Sequence, residues 1–286
     1  MSGFAPDWLA LREPIDAAAR DAALARAFAA ALPRPARLAD LGAGTGANAR
    51  VLAPLIGGDQ HWLLVENDPA LCAAQRAALV DWARYLGHPA RAEANIVTVA
   101  AERGTWRFAS LGLDLAGDWR ALETAALDAV SCAAFLDLAS AGWIERLAAW
   151  LAARRLPFHA ALTVDGRRVW SPPAPEDAAV AAAFRRDQAR DKGLGRGLGG
   201  AAAEHAVRCL TAQGFTVSAA ASDWRLGAGE RALLEALVRG EAEAALAAAP
   251  EAATGIRTWR ERRLAQAAAA TLGLTVGHRD LLALPA

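Results

Sequence analysis

Asp40-Leu41-Gly42-Ala43-Gly44-Thr45-Gly46 is the stretch whose residue types and spacing most directly imply chemistry. Three glycines at alternate positions let the backbone turn sharply and bring its amides against a bound group. Glu66 follows about twenty residues on, closing the apolar run His61–Val65. A carboxylate at that place can accept both hydroxyls of a ribose. Asp40, two residues before the first glycine, would stand at the end of the preceding strand. There it would repel a pyrophosphate and attract an ammonium, by a few kcal/mol at most in a screened site.

Two cofactor classes share the glycine turn and the distal acid. Gly42-x-Gly44-x-x-Ala47 fits the G-x-G-x-x-A pattern of nicotinamide dinucleotide enzymes, with Glu66 on the adenine ribose. The additional acid, Asp40, favours S-adenosylmethionine. With these residues in view, Asp-Leu-Gly-Ala-Gly-Thr-Gly resembles motif I of the class I S-adenosylmethionine-dependent methyltransferases, and Glu66 stands at that family's ribose-binding acid. The resemblance covers roughly residues 36–165 and is specific for the superfamily, not the substrate. It implies an α/β, Rossmann-like fold: a seven-stranded, mostly parallel sheet with helices on both faces and a late antiparallel pair. It also implies S-adenosylmethionine as cofactor and S-adenosylhomocysteine as product.

Family positions carry over residue by residue. Asp40, Gly42, Ala43, Gly44, Thr45, Gly46 and Glu66 would contact the cofactor, with Asn67 and Asp68 beside the adenine. Asp114 resembles the acid that binds the adenine amino group, and Leu115 would pack on the ring; a solvated loop acid is the other reading, with Asp118 as a rival. Ser131-Cys132-Ala133-Ala134 falls at motif IV, where Ser131 would line both cofactor and methyl acceptor. That segment departs from the Asn-Pro-Pro-Tyr and Asp-Pro-Pro-Tyr signatures of nucleic-acid-methylating members and lacks the acids of metal-dependent ones. Both departures favour a small-molecule acceptor.

Methyl transfer needs chiefly in-line placement, and a base only if the acceptor proton leaves early. Asp137 and Asp165, after the fourth and fifth strands, are candidate bases; a helix cap and an Asp-Gly turn are their bland alternatives. Arg12 and Arg20 could meet the cofactor carboxylate or an anionic substrate, or be ordinary helix charges. Arg168, beside Trp170, could line a substrate pocket. Of 31 basic residues 30 are Arg, so the single Lys192, in the Gly-rich stretch Asp191–Gly200, reads either as a substrate-side lid contact or as an incidental loop residue. His278 reads as a packed residue near the last strand.

The elements that must position these residues alternate. A helical segment over 7–31 precedes strands at Arg37–Leu41, His61–Val65, Thr105–Leu113, Leu127–Cys132 and Phe158–Val164, with helices at Ala47–Leu55, Ala70–Leu86 and Ala141–Arg154 between them. Such alternation predicts a parallel sheet with crossover helices. Helices over Asp177–Ala189 and Ala201–Gln213, strands at Phe215–Ala219 and Leu272–Val276, and about fifty intervening helical residues complete the chain. The expected organisation is one domain over 1–286: a helical cap (1–35), a cofactor-binding core (36–165) and a substrate-side part (166–286).

Composition narrows the function. Hydrophobic residues make up 55% of 286 and charged residues 22%, enough for a sizeable core. Thirty-one basic and 31 acidic residues cancel, which offers no footprint for a nucleic-acid backbone. No apolar run reaches ~18 residues, and Asp7, Arg12 and Glu13 occupy the start where a signal peptide would be apolar. A cytoplasmic protein, monomeric or homodimeric, is expected. Cys72, Cys132 and Cys209 are widely spaced and no His-x-x-x-His or His-Glu pair occurs, so no metal site is expected. Beside the methyltransferase reading stand an NAD(P)-dependent oxidoreductase and a non-catalytic adaptor with a methyltransferase fold.

Overall fold

The computed structural model describes residues 5–117, 119–191 and 193–286; Asp118 and Lys192 lie outside the described residues. The chain opens with α1 (Pro6–Ala19) and α2 (Ala22–Ala30), where the sequence suggests one helix. The break falls at Arg20–Asp21 because Asp21 caps α2, its carboxylate accepting from the Leu24 amide at 2.7 Å. Next come β1 (Ala36–Leu41), α3 (Ala47–Ile56), β2 (Gln60–Glu66) and α4 (Pro69–Tyr85). Asp68 caps α4 and Pro69 takes its first position, where a missing amide hydrogen is harmless.

A hairpin, β3 (Ala90–Glu93) and β4 (Ile96–Ala101), then leads to β5 (Gly104–Gly112). The short α5 (Arg120–Glu123), β6 (Ala129–Ala133), α6 (Ala141–Arg154) and β7 (Phe158–Ser171) follow. The remainder is α7 (Asp177–Gln188), α8 (Ala202–Ala212), β8 (Phe215–Ala221), β9 (Trp224–Leu226), α9 (Arg231–Ala248), α10 (Ala253–Ala268) and β10 (Gly273–Pro285).

One sheet runs β3-β4-β5-β2-β1-β6-β7-β10-β8, and β9 pairs with β10. The five strands from β5 to β7 are mutually parallel; β10 runs antiparallel to β7, β8 and β9. The seven expected strands are thus present, and β3, β4 and β9 are additions. Parallel strands covered on both faces bury nearly every residue, and β1 shows one exposed position in six.

Phe28, Leu52, Ile56 and Leu79 pack on one face of the sheet; Trp143, Leu147, Leu151 and Leu210 pack on the other. A third core joins α7, α9 and α10 through Trp170, Val238, Ile256 and Trp259, and the apolar side of α1 (Trp8, Leu11, Ile15) rests against it. In that core Arg263, fully buried, pairs with Asp177.

β7 and β10 are longer than their apolar runs because buried polar groups carry the sheet through irregularities. Leu162 is left-handed at φ 56°, and its amide donates to Asp280 at 2.7 Å. The second Asp280 oxygen accepts from the Asp21 amide at 2.8 Å, fixing the turn between α1 and α2 to the far strand. His278 is buried as expected, against Trp224.

Candidate functional site

The glycine turn follows β1 directly. Gly42, Gly44 and Gly46 have φ of 63°, 55° and 82°, conformations that cost a side-chain-bearing residue about 1–2 kcal/mol. Close packing adds a second requirement: a Cβ at Gly42 would lie 2.4 Å from the Phe135 ring, and one at Gly44 would lie 3.0 Å from Leu9. Phe135 and the α1 residue Leu9 therefore cover the turn. Glu66 closes β2 and accepts from the Gly44 amide at 2.9 Å through one oxygen, and from the Asn67 and Asp68 amides at 2.9 and 3.0 Å through the other. Gln75, buried on α4, donates to the Gly44 carbonyl at 2.9 Å and accepts from Ser110 Oγ at 2.5 Å. The central residue of the turn, Gly44, is thus held through both its amide and its carbonyl.

Asp40 lies in register with Ser131 of β6, so the two side chains share a face of the sheet. Asp40 Oδ1 accepts from Asn48 Nδ2 at 2.6 Å and from Ser131 Oγ at 2.8 Å. Its Oδ2 is buried with no partner among the described residues. Desolvation pushes the Asp40 pKa up to about 6, against the pull of the Asn48 and Ser131 hydrogen bonds and of the Arg20 charge. Arg20, just past α1, donates from Nη1 to Asn48 Oδ1 at 2.6 Å, and its Nε is buried without a partner among the described residues. Burial lowers the Arg20 pKa, and the nearby Asp16, Asp280 and Asp40 charges oppose that. A single carboxamide, Asn48, separates a guanidinium from a carboxylate, each with an unsatisfied buried atom.

The other sequence-predicted residues are placed as follows. Ala43 is buried, and the Thr45 carbonyl accepts from Arg50 at 2.6 Å. Arg50 also pairs with Glu13 at 2.6 Å, tying α1 to α3. Asn67 is exposed and Asp68 serves the α4 cap. Asp114 is exposed and accepts from the Ala116 amide at 2.9 Å, while Leu115 is buried under the Trp119 and Trp143 indoles that donate to its carbonyl. Asp137 is buried in the turn after β6. Asp165 is engaged by Arg167 at 2.6 Å, which also holds Asp223 at 2.7 Å, so any proton abstraction by Asp165 competes with a guanidinium.

Among the predicted substrate contacts, Arg12 pairs with Asp16 at 2.8 Å and lies over Trp224. Arg168 pairs with the buried Glu241 at 2.6 Å. It also borders a cavity of about 160 Å³ between β7, α7 and Gly197–Gly200, shared with Phe184, Arg185 and Gln188. The Gly-rich stretch docks on the turn after β6: the Leu198 amide donates to the Ala139 carbonyl at 2.9 Å and the Ser140 amide to the Leu194 carbonyl at 3.1 Å. The predicted Lys192 contact lies outside the described residues.

Asn48, Gln75 and Phe135 were not singled out by sequence reasoning, and Leu9 stands out there only as an apolar anchor of the N-terminal helical segment. The signals for two of them were present: Asn48 lies in the first turn of a mostly apolar helix directly after the glycines, and Gln75 interrupts the Leu71/Leu79 stripe.

Numbered within the seven-strand core, the order is third, second, first, fourth, fifth, seventh, sixth, with the seventh reversed. This is the class I methyltransferase fold. A dinucleotide-binding sheet would instead continue in parallel with a sixth strand beside the fifth. No family model and no curated protein sequence matches the chain.

Among solved structures, a cyclopropane-fatty-acyl-phospholipid synthase-like protein from Lactobacillus casei is similar at TM-score 0.47 and 17% identity, over 94% of this chain and 98% of that one. A cyclopropane synthase from Mycobacterium tuberculosis is similar at TM-score 0.44 and 12% identity, over 91% and 81%. An S-adenosylhomocysteine-bound methyltransferase from Geobacter sulfurreducens is similar at TM-score 0.41 and 16% identity, over 94% and 92%. Among the described residues, no helix is long and apolar enough to cross a membrane.

Proposed function

We propose that this chain is an S-adenosylmethionine-dependent methyltransferase acting on a small-molecule acceptor. The observation that carries the reading is the Arg20–Asn48–Asp40 arrangement beside the glycine turn. A carboxylate oxygen and a guanidinium nitrogen, both buried without a partner among the described residues and held apart by one carboxamide, suit the ammonium and carboxylate of an amino-acid moiety. Glu66, against the Gly44 amide, would take the ribose hydroxyls, since each carboxylate oxygen accepts more than one hydrogen bond. Asn67, Asp68, Asp114 and Leu115 would border the adenine.

When bound, S-adenosylmethionine supplies a methyl group activated by its sulfonium. This chain's residues would supply orientation and exclusion of water. Leu9 and Phe135 cover the turn, and Ser131 fixes the Asp40 carboxylate. Asp137, beyond β6, and Asp165, which Arg167 engages, are the two candidates to hold an acceptor proton. The cavity beside Phe184 and Arg185 would admit only a small acceptor or one end of a larger one.

Calorimetric titration with S-adenosylhomocysteine and with NADH tests this reading. S-adenosylhomocysteine should bind and NADH should not. Glu66→Ala should weaken S-adenosylhomocysteine at least about tenfold, since hydrogen bonds to a charged acceptor contribute roughly 1.5–3 kcal/mol each. Unchanged affinity in that variant removes the ribose role from Glu66, and NADH binding alone overturns the proposal.

A further inference from the structure

On the opposite face of the sheet, α6 and α8 gather three side chains with metal-ligating atoms. His205 and Cys209 stand one turn apart on α8, and Glu145 reaches them from α6. His205 Nε2 lies 3.4 Å from Glu145 Oε1 and 3.4 Å from Cys209 Sγ, and the three ligand atoms all lie within 4.8 Å of one another. A tetrahedral zinc ion, with bonds of about 2.0–2.2 Å to nitrogen or oxygen and about 2.3 Å to sulfur, sets its ligand atoms roughly 3.3–3.6 Å apart. The two measured separations match two edges of such a tetrahedron. The third, between Glu145 and Cys209, closes by a rotation of Glu145, whose side chain is 59% exposed and free to turn.

We propose that Glu145, His205 and Cys209 bind a borderline-soft divalent cation, zinc foremost, leaving a fourth position for water. The donor set decides the ion class: thiolate and imidazole disfavour magnesium and calcium, which take oxygen ligands. Binding displaces the Cys209 thiol proton to solvent and leaves the His205 ring neutral, metallated at Nε2 with its hydrogen on Nδ1. Arg208 Nη2 stands 3.5 Å from that Nδ1. Its side chain is exposed and already paired with Glu204 at 3.1 Å, so it yields the place to water.

The consequence is positional. α6 starts at the turn after β6, and α8 follows the Gly-rich stretch docked on that turn. A cation at this site clips α8, which follows the stretch, to α6, which follows the turn on which the stretch docks. Sequence spacing hid the site because the third ligand comes from sixty residues upstream, leaving only His-x-x-x-Cys on the page.

The test is a cobalt(II) titration of the full chain under a non-thiol reductant, with zinc competition. Saturable one-to-one binding is expected, with a thiolate-to-cobalt charge-transfer band in the near ultraviolet and intense visible bands of tetrahedral cobalt. Cys209→Ser should abolish the charge-transfer band. Glu145→Gln, at an exposed position that tolerates change, should weaken binding roughly tenfold or more. Zinc should raise the melting temperature of the wild-type protein and not of Cys209→Ser. Absence of saturation overturns the proposal. So does a charge-transfer band that survives in Cys209→Ser, since Cys72 or Cys132 would then be the ligand, or an affinity unchanged in Glu145→Gln.

Discussion

Replacing Asp40 by Asn should make the ligand-free protein more stable and its hold on S-adenosylhomocysteine weaker. The carboxyl group is 1% exposed, and one of its oxygens has no partner among the described residues. Desolvation raises its pKa from the ordinary 3.8 to about 6, so keeping it ionised in the native state costs about 3 kcal/mol relative to the unfolded chain. A raised native pKa means that the folded protein holds the proton more tightly than the unfolded one. Stability is therefore lost as pH rises from about 4 through about 6, and stays lost above.

Asn preserves the shape and the acceptor for Asn48 and Ser131 without the charge. Its advantage over wild type should approach about 3 kcal/mol at pH 8 and fall to about half of that at pH 5. An ammonium placed there would lose a charged partner, a loss of roughly 1.5–3 kcal/mol, or about ten- to hundredfold in affinity. Urea unfolding at the two pH values and calorimetric titration at pH 8 measure both effects. A variant no more stable than wild type at pH 8 would refute the desolvation argument, and one that binds S-adenosylhomocysteine equally well would refute the ammonium assignment.

Arg20→Met keeps the aliphatic stem and removes the guanidinium; S-adenosylhomocysteine affinity should fall at least about tenfold by calorimetry, whereas a purely structural role would lower the melting temperature alone. Gly42→Ala should cost at least about 2 kcal/mol in chemical unfolding, from the left-handed backbone together with the clash on Phe135. His159 is fully buried with neither ring nitrogen hydrogen-bonded among the described residues, and burial lowers its pKa to about 4. Its neutral form supports the fold above the unfolded value of 6.5, and that support is lost as pH falls toward 4. His159→Phe should keep the stack on Phe28 and flatten the acid limb by on the order of 3 kcal/mol, read from unfolding at pH 7 and pH 4.5.

The parallel core was legible because its strands are short apolar runs bounded by Gly, Pro or Asp, and α6 matches its predicted limits at both ends. What escaped were segments where tertiary partners override local pattern. The β3–β4 hairpin turns at Ala94–Asn95 with a left-handed alanine, so no glycine marks it. β10 continues through Gly277-His278-Arg279-Asp280, which reads as a polar loop until Asp280 is seen satisfying two distant amides. Within the site, the residue types of the glycine turn, Asp40 and Glu66 announced themselves. The role of Arg20 depends on Asn48, twenty-eight positions away, and no helical spacing could reveal that pairing.

The Asp280 bridge bears on how the protein is made. The amide of Asp21 and the carboxylate that fixes it are separated by 259 positions in the chain. At about 5–20 residues per second, a ribosome delivers the second partner on the order of ten to fifty seconds after the first. Throughout that interval α1 and α2 lack their anchor, and for most of it Trp8, Leu11 and Ile15 have no α9–α10 core to rest on. Arg20 and Leu9, which meet Asn48 and the glycine turn in the folded protein, belong to the same N-terminal segment. A ligand that needs Arg20 beside the glycine turn is therefore expected to stabilise chiefly molecules whose last strand has already entered the sheet.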